Sequence, residues 1–277
     1  MSLLSIDLVA CIKCGICVEV CPVSIISFGE DGFPCVMEKD EKRCVLCGQC
    51  EAVCAAQALK QTSLPEMELI HKDKLNEITS DNLSEYVRSR RSVRAFLPRV
   101  VEQSTLEKIL AVVSYSPTGV NRQLNKWIVV CNHDMIGRLS KAVIEWMKVL
   151  IQTNQDMAKR LGLQRLVDSF EKGKDVICRD ARTLVIGYTD AAYSGGAADV
   201  IIATSQLELL LPSFGLGGCW AGYLMIALRL SQEVKSILGL DETQAVHTAL
   251  MIGYPKYHYS KVPYRKKPNV VFFAPAV

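Results

Sequence analysis

Beyond residue 83 the chain alternates between two kinds of hydrophobic pattern. Continuous apolar runs at 127–131, 183–188 and 246–253 predict buried strands. Apolar residues at helical spacing predict the following helices: 84–91, 104–113, 135–150, 155–170, 197–211 and 231–238. Asn82 or Ser84 is the expected cap of the first helix, and Ser104 with Glu107 forms a capping-box pattern for the second. Strands that alternate with helices predict a domain of mixed α and β structure.

The first 60 residues follow a different pattern, because they consist of two similar halves. Each half has a cysteine-rich loop and then a short helical run, at 18–23 and 51–59. Apolar segments at 25–28 and 34–37 flank Gly29-Glu30-Asp31-Gly32, which predicts a hairpin. The chain then turns polar and aperiodic. We therefore expect a small domain over 1–62, a linker over 63–82 and a larger domain over 83–277.

Composition and charge narrow the class of protein. The chain has 277 residues, 49% of them hydrophobic, which is enough for a small module and a domain with its own core. Its net charge of +3 gives no reason to expect nucleic acid or a membrane surface as a partner. The charge is uneven, because residues 1–64 hold five Lys/Arg against eight Asp/Glu. The basic remainder suits a phosphorylated cofactor.

Two features bear on the cellular location. The N-terminus lacks the basic start and apolar run of a secretory signal, so we expect a cytoplasmic protein. Residues 209–228 carry no charge and are as long as a membrane span. A proline and four glycines interrupt this stretch, so we expect the end of a buried helix followed by a glycine loop, with no membrane contact.

Eight of the twelve cysteines fall in two copies of the spacing C-x2-C-x2-C-x3-C. In proteins with two cubane iron–sulfur clusters, three thiolates of such a run and the fourth thiolate of the other run hold each cluster. We therefore assign one 4Fe-4S cluster to Cys11, Cys14, Cys17 and Cys54, and the second to Cys21, Cys44, Cys47 and Cys50. Pro22 follows the first run as the motif requires, whereas Ala55 stands after the second.

Structural zinc, disulfides and ordinary buried cysteines are the alternatives. Zinc sites usually pair two C-x2-4-C elements, and disulfide frameworks belong to secreted chains. The other cysteines, Cys35, Cys131, Cys178 and Cys219, are irregularly spaced, and we expect them to act as small buried hydrophobic residues.

Four segments of the larger domain have chemistry of their own. Residues 90–96 gather guanidinium groups and a hydroxyl that suit a phosphate dianion, although a solvated helix face has the same composition. Residues 116–123 offer amides beside small residues, as a ligand loop or an ordinary turn would. The glycines of 215–222 allow close backbone approach to a ligand or a tight turn that packs Trp220. The fourth segment consists of residues 252–255 and, further along the chain, residues 263–265.

In this order the four segments resemble the FMN-dependent nitroreductase family over 84–277, and the whole chain resembles ferredoxin-fused nitroreductases. The resemblance implies an α+β fold: a small bacterial-type ferredoxin-like domain, then a mixed domain with a central, mainly antiparallel sheet flanked by helices. It also implies a homodimer with FMN at the subunit interface. The implied FMN-binding residues are Arg90, Arg91, Ser92, Arg94, Asn121, Gln123, Gly218, Ala221, Gly222, Arg265 and Lys267. The chain departs from the family at 124–127, where relatives have proline and tryptophan directly after the glutamine.

The resemblance implies an oxidoreductase that passes electrons from two 4Fe-4S clusters to FMN and on to a small organic acceptor such as a nitroaromatic or a quinone. Ferredoxin or NAD(P)H is the expected donor. Because the cofactors supply the chemistry, no catalytic side chain is assigned. The alternatives are an electron-transfer protein without its own substrate, and a relative that fragments flavin or removes halogens. Ser92 stands where the flavin-fragmenting relatives have aspartate.

Overall fold

The computed structural model describes residues 2–68, 70 and 72–273, and these divide into two units. The first unit comprises the chain up to Glu77 together with Pro117–Leu124, and the second comprises Ile78–Ser116 and the chain from Asn125 onward. The division thus falls inside the region 63–82 that the sequence predicts to be a linker. The segment 117–124, which the sequence assigns to the larger domain, belongs to the first unit.

The first unit is built from short elements. Its strands and helices are β1 (Leu4–Ile6), α1 (Ile16–Glu19), β2 (Ile26–Phe28), β3 (Pro34–Val36), α2 (Gln49–Ala52), β4 (Leu59–Gln61) and α3 (Lys72–Asn76), with 3-10 turns at Glu38–Arg43 and Gly119–Asn121. Antiparallel β2 and β3 confirm the predicted hairpin, with Ile26 opposite Val36. A second antiparallel pair joins β1 to β4, with Leu4 opposite Gln61. Both predicted helical runs are shorter than expected.

The two halves repeat at an interval of 33 residues, which is also the interval between the cysteine runs. Helix α1 corresponds to α2 at this interval, and strand β2 corresponds to β4. The left-handed backbone positions recur as well: Lys13 and Leu46, Gly15 and Gly48. Since such a conformation is costly for residues other than glycine, its repetition at Lys13 and Leu46 shows that both loops need the same sharp turn around the second cysteine of the run.

The second unit holds the longer elements. They are α4 (Ser80–Ser89), α5 (Gln103–Val113), β5 (Lys126–Val130), α6 (His133–Thr153), α7 (Gln155–Leu161), α8 (Leu163–Glu171), β6 (Thr183–Asp190), α9 (Gly196–Leu210), β7 (Gly217–Trp220), α10 (Gly222–Leu230), α11 (Gln232–Ser236) and β8 (Gln244–Gly253), with a 3-10 turn at Leu211–Phe214. The strands pair in the order β5-β6-β8-β7, all antiparallel. The expected antiparallel sheet is therefore confirmed.

Helices cover both faces of this sheet, so the strands are apolar on both sides. Leu184 and Ile186 of β6 pack with α6, α8 and α10 in one hydrophobic core. Val185, which points to the opposite face, packs with α5 and α9 in a second core. Alternate residues of a strand point to opposite faces, and each face here needs apolar side chains. This is the reason for the continuous apolar runs in the sequence.

Three local expectations need correction. The helix predicted over 155–170 is two helices, because Gly162 adopts a left-handed conformation (φ 63°) between α7 and α8. Thr79 caps α4, its hydroxyl accepting the Asn82 N–H at 3.2 Å. Helix α5 begins at Gln103, and the side chain of its N-cap residue Glu102 accepts no capping hydrogen bond. The predicted capping box of Ser104 and Glu107 is therefore wrong.

The charge-free stretch 209–228 contains more structure than the predicted glycine loop. It includes the end of α9, a 3-10 turn, the strand β7 and most of α10. Within the described part of the chain, one helical segment, Gly196–Phe214, has the length and apolar composition that a membrane span needs. Core helices of proteins without membrane spans also meet this test, and Ala203, Leu207 and Leu211 of this segment are buried in the second core.

Candidate functional site

The eight repeated cysteines line two cavities in the first unit. One is lined by Cys11, Cys14, Cys17 and Cys54. The other is lined by Cys21, Cys44, Cys47 and Cys50. Each cavity thus takes three cysteines from one run and the fourth from the other, which is the grouping that the cubane spacing predicts. Cys35 lies outside both sets of lining residues.

The surroundings of the cysteines suit a metal cluster. Leu4, Ile25, Ile26 and Leu59 form a small apolar core against which several of the cysteines pack. Burial raises the pKa of Cys17, and it raises the pKa of Cys50 to about 11. These thiols are therefore protonated near neutral pH in the protein alone, so that cluster binding must displace their protons. Among the described residues, no three His, Cys, Asp or Glu side chains converge as a single metal ion requires.

A third cavity, of about 340 Å³, lies in the second unit and is electropositive. Arg94 and Arg179 line it together with Trp220, Ala221 and Gly222. Burial raises the pKa of the neighbouring Cys219, while the Arg94 and Arg179 guanidinium groups act to lower it, so both cations act on the same region. Two guanidinium groups at the wall of one cavity can bind a phosphate dianion through charge-assisted hydrogen bonds.

Arg179 was not among the residues predicted from the sequence. It and Asp180 adopt left-handed backbone conformations, with φ near 55°. Such strain is tolerated when the surrounding structure holds it, and it is common at ligand sites. The sequence contains no motif around Arg179 that would have revealed this placement, since only the folded chain brings it to the same cavity as Arg94.

The glycines of the third segment have two different roles. A Cβ on Gly218 would lie 2.6 Å from Leu211 Cδ1, and one on Gly217 would lie 2.4 Å from Val93 Cγ2, so both are packing glycines. Gly222, at the start of α10, has open space where its Cβ would be. The Ala221 N–H is already donated to the Ala249 carbonyl at 2.8 Å. Gly215 also has open space at this point, but among the glycines of this segment Gly222 is the one that lines the cavity, so it is the one that leaves room there.

The polar residues of the segment 90–94 contact different partners. Arg90 Nη1 forms an ion pair with Glu208 Oε1 at 2.7 Å, and Glu208 Oε2 also accepts the Trp220 indole N–H at 2.9 Å. Arg91 donates to the carbonyls of Arg88 and Ser89. Ser92 forms an isolated parallel β-bridge to Gly218 of β7. Arg94 is thus the member of the segment that lines the third cavity.

Asn121 and Gln123 lie in the first unit, in the segment 117–124. The Asn121 side-chain amide donates to the Val45 carbonyl at 3.1 Å and to the Leu46 carbonyl at 2.9 Å. The Gln123 N–H donates to the Thr118 hydroxyl at 3.0 Å. Both residues, and Val120, have positive φ values near 50°. The Asn121 amide therefore holds a strained segment to the loop that carries Cys44 and Cys47.

The remaining predicted residues lie in the C-terminal segment. Arg265 Nη1 donates to the Tyr264 carbonyl at 3.3 Å, and Lys267 is exposed. Large apolar side chains in this segment are also exposed, among them Tyr264, Phe272 and Phe273. In the single chain these two cations are not among the residues that line the third cavity.

Comparison with protein-family models assigns both parts of the chain. Residues 87–254 match the model of the nitroreductase family. This chain belongs to that family. Residues 10–58 match the model of the 4Fe-4S dicluster domain, so a ferredoxin-type domain precedes the nitroreductase domain, as the sequence predicts. Family membership makes the chain an oxidoreductase of the nitroreductase type.

Individual relatives are distant. The chain is 24% identical over 168 residues to an Archaeoglobus fulgidus protein with the provisional name NADH dehydrogenase/NAD(P)H nitroreductase, a match that covers 61% of this chain and 82% of the relative. A crystal structure of a nitroreductase with bound FMN from Bacteroides fragilis has a TM-score of 0.56 at 21% identity, covering 69% of this chain and 98% of that one. One from Desulfitobacterium hafniense has a TM-score of 0.54 at 21% identity, with 69% and 96% covered. These structures show that the nitroreductase domain has the family fold.

Proposed function

We propose that this nitroreductase is an FMN-dependent enzyme that receives electrons through two 4Fe-4S clusters and reduces a small organic acceptor, such as a nitroaromatic or a quinone. Bound clusters exchange single electrons, and FMN can collect two and deliver them as a hydride. The observation that carries the proposal is that two four-cysteine cavities precede a nitroreductase domain in one chain. Ferredoxin or NAD(P)H would supply the electrons.

The cysteines that line the two cavities would hold the clusters, in the grouping given above. Arg94 and Arg179 would neutralise the FMN phosphate, and Gly222 would leave room for the ring to approach the backbone. The remaining predicted residues of the segments 90–96 and 215–222 would hold the cavity wall in place. Arg90 would do so through its ion pair with Glu208, and the others, Arg91, Ser92, Gly218 and Ala221, through their contacts with neighbouring backbone. The proposal needs no acid, base or nucleophile from the protein.

The exit point for electrons would be the cluster held by Cys21, Cys44, Cys47 and Cys50. The support for this is the segment 117–124, which lies inside the nitroreductase match and whose Asn121 is hydrogen-bonded to the loop of that cavity. The family resemblance implies that Asn121 and Gln123 of this segment are flavin-binding residues, and we retain that assignment as part of the proposal.

We also propose a cytoplasmic homodimer. Helix α9 is apolar on more than its core face, since Ile201 and Ile202 are exposed while Val200 and Ala203 are buried. A second copy of the chain is the partner that would cover this face and the exposed aromatic residues of the C-terminal segment, and it would bring Arg265 and Lys267 to a shared flavin site. Thiolate cluster ligands require a reducing compartment. Replacing Ile201 with glutamate should convert a dimer to a monomer in analytical ultracentrifugation, and an unchanged sedimentation coefficient would contradict this assembly.

The cluster assignment is tested by cysteine variants purified without oxygen. We expect about eight iron atoms per chain in the unaltered protein, and Cys14→Ala and Cys47→Ala should each lower this content. Cys35→Ala is the matched control, because Cys35 lies in the same unit but outside both sets of lining cysteines. Turnover with reduced ferredoxin should fall in the two ligand variants while chemically reduced flavin stays competent. Full iron content in either ligand variant would contradict the assignment.

The flavin site and the substrate are tested separately. Arg94→Ala and Arg179→Ala should each weaken FMN binding about tenfold, since a charge-assisted hydrogen bond is lost. Arg99→Ala is the control, because Arg99 lies over the Tyr254 ring and is not among the cavity-lining residues. A panel of nitroaromatics and quinones, with ferredoxin or NAD(P)H as donor, then separates enzyme from electron carrier. Failure of every acceptor to be reduced by flavin-loaded protein would favour the carrier.

A further inference from the structure

The second half of the ferredoxin-type unit has a buried amide that faces a cysteine and has no counterpart in the first half. At the repeat interval of 33 residues, Gln61 corresponds to Phe28, so that an amide in one half replaces an aromatic ring in the other. Gln61 is 3% exposed, whereas Phe28 is 48% exposed. We propose that Gln61 is a redox-tuning residue, which raises the reduction potential of the second cluster by donating a hydrogen bond to the Cys44 sulfur.

The position of the Gln61 side chain supports this role. Its Nε2 lies 3.9 Å from Cys44 Sγ, and the residue lines the same cavity as Cys44, Cys47 and Cys50. Its Oε1 accepts the Ser63 N–H at 2.6 Å, and its own backbone N–H is donated to Glu51 Oε2 at 2.7 Å. Because Ser63 can bond only the amide oxygen, the NH2 group must be the end that faces the sulfur.

The electrostatic consequence follows from the charge of a reduced cluster. A reduced cluster carries one more negative charge than an oxidised one, and this charge is shared with its sulfur ligands. An N–H dipole directed at a ligand sulfur therefore stabilises the reduced form more, which raises the potential. This inference rests on the proposed function, because it requires that Cys44 is a ligand of the second 4Fe-4S cluster.

The charged residues nearest the cysteine loops do not replace the effect of the amide. Glu51 in the second half corresponds to Val18, and Glu19 in the first half corresponds to Ala52, so each half has one carboxylate at this part of the repeat. The Lys13 ammonium group of the first half donates to the Asp31 carbonyl at 2.8 Å. The Gln61 amide has no counterpart at position 28 of the first half, so it favours an electron on the second cluster.

The test is a potentiometric measurement, monitored by EPR, on cluster-loaded full-length protein. Gln61→Leu removes the donor, and Gln61→Glu keeps the shape and the acceptor for Ser63 while it replaces the NH2 group. Both should shift the equilibrium for an electron shared between the clusters about tenfold toward the first cluster, which is about 59 mV in one of the two one-electron steps. The controls are Gln49→Leu, an exposed glutamine next to Cys50, and Phe28→Leu at the repeat counterpart.

The outcomes separate the tuning role from a structural one. Full iron content, a lowered potential in one step alone and displaced β-proton NMR signals of Cys44 would support the proposal. Full iron content with unchanged potentials, with equal shifts in both steps, or with the same shift in Gln49→Leu would overturn it. Loss of iron from both Gln61 variants would also overturn it, since Gln61 would then be needed only for assembly. Absence of two clusters from the unaltered protein would instead refute the proposed function itself.

Discussion

The buried ion pair between Arg90 and Glu208 offers a quantitative test of how the nitroreductase domain is held together. The Glu208 side chain is 10% exposed, and it joins three elements: α9, on which it lies, Arg90 at the end of α4, and Trp220 on β7. Replacing Glu208 with leucine leaves the guanidinium group and the indole N–H without their acceptor. Loss of one partner of a buried ion pair typically costs about 3–5 kcal/mol.

The lower end of that range applies here, because the Arg90 side chain is 28% exposed and can regain some hydration. We expect Glu208→Leu to lower the free energy of unfolding by about 3 kcal/mol, and the Tm by about 6–12 °C for a domain of this size. Glu208→Gln keeps an acceptor for Trp220, so its loss should be smaller, about 1–2 kcal/mol.

Tryptophan fluorescence during urea unfolding is the suitable assay. All three tryptophans, Trp127, Trp146 and Trp220, lie in the second unit, so the signal reports that unit alone. Asp190→Asn is the control, because it breaks the exposed ion pair between Lys126 and Asp190 and should change the midpoint little. The reasoning is refuted if Glu208→Leu costs less than about 1 kcal/mol or no more than Asp190→Asn does.

Three further predictions concern other parts of the molecule. Gly187→Ala should destabilise the second unit by about 1–3 kcal/mol, because a Cβ there would lie 2.4 Å from Val200 Cγ1; Gly137→Ala, with nothing within 4 Å of the new Cβ, should stabilise it slightly in the same urea assay, and equal effects would contradict the packing argument. Asn121→Ala should speed amide hydrogen exchange in the segment 117–124 about tenfold, because two hydrogen bonds to the cluster loop are lost; unchanged exchange would show that the amide does not hold the segment. Burial and the Arg229 charge lower the pKa of His247, so the folded state binds fewer protons than the unfolded state. Stability from this group should be complete above the unfolded pKa of about 6.5 and should fall as the pH drops below it, and His247→Gln should remove that part of the pH dependence.

The sequence predicted well those features that depend on local spacing. The cysteine runs group around two cavities because the fold repeats at the same interval as the runs. Strands β5, β6 and β8 were predicted because burial on both faces requires uninterrupted apolar residues. A pattern of this kind is imposed by the immediate surroundings of each residue and is therefore visible along the chain.

Features that depend on distant parts of the chain were not predicted. Strand β7 has a glycine-rich sequence that is typical of a loop, and it becomes a strand because β8 provides its hydrogen-bonding partner. The guanidinium-rich segment and the family resemblance predict a phosphate contact for Arg90, whereas the carboxylate that pairs with it in the structure lies 118 positions away along the chain and no local pattern indicates it. Arg179 reaches the electropositive cavity through a left-handed turn that no local pattern indicates.

The crossed arrangement of the cysteines has a consequence for maturation. Each half of the duplicated module provides three of the four sulfurs around one cavity and the fourth sulfur, Cys21 or Cys54, of the other cavity. Neither half has a complete ligand set by itself. Because metal binding and folding are coupled in small metalloproteins, the module should acquire its inorganic sulfur and iron in one cooperative event, and loss of either Cys21 or Cys54 as a thiol should release both clusters.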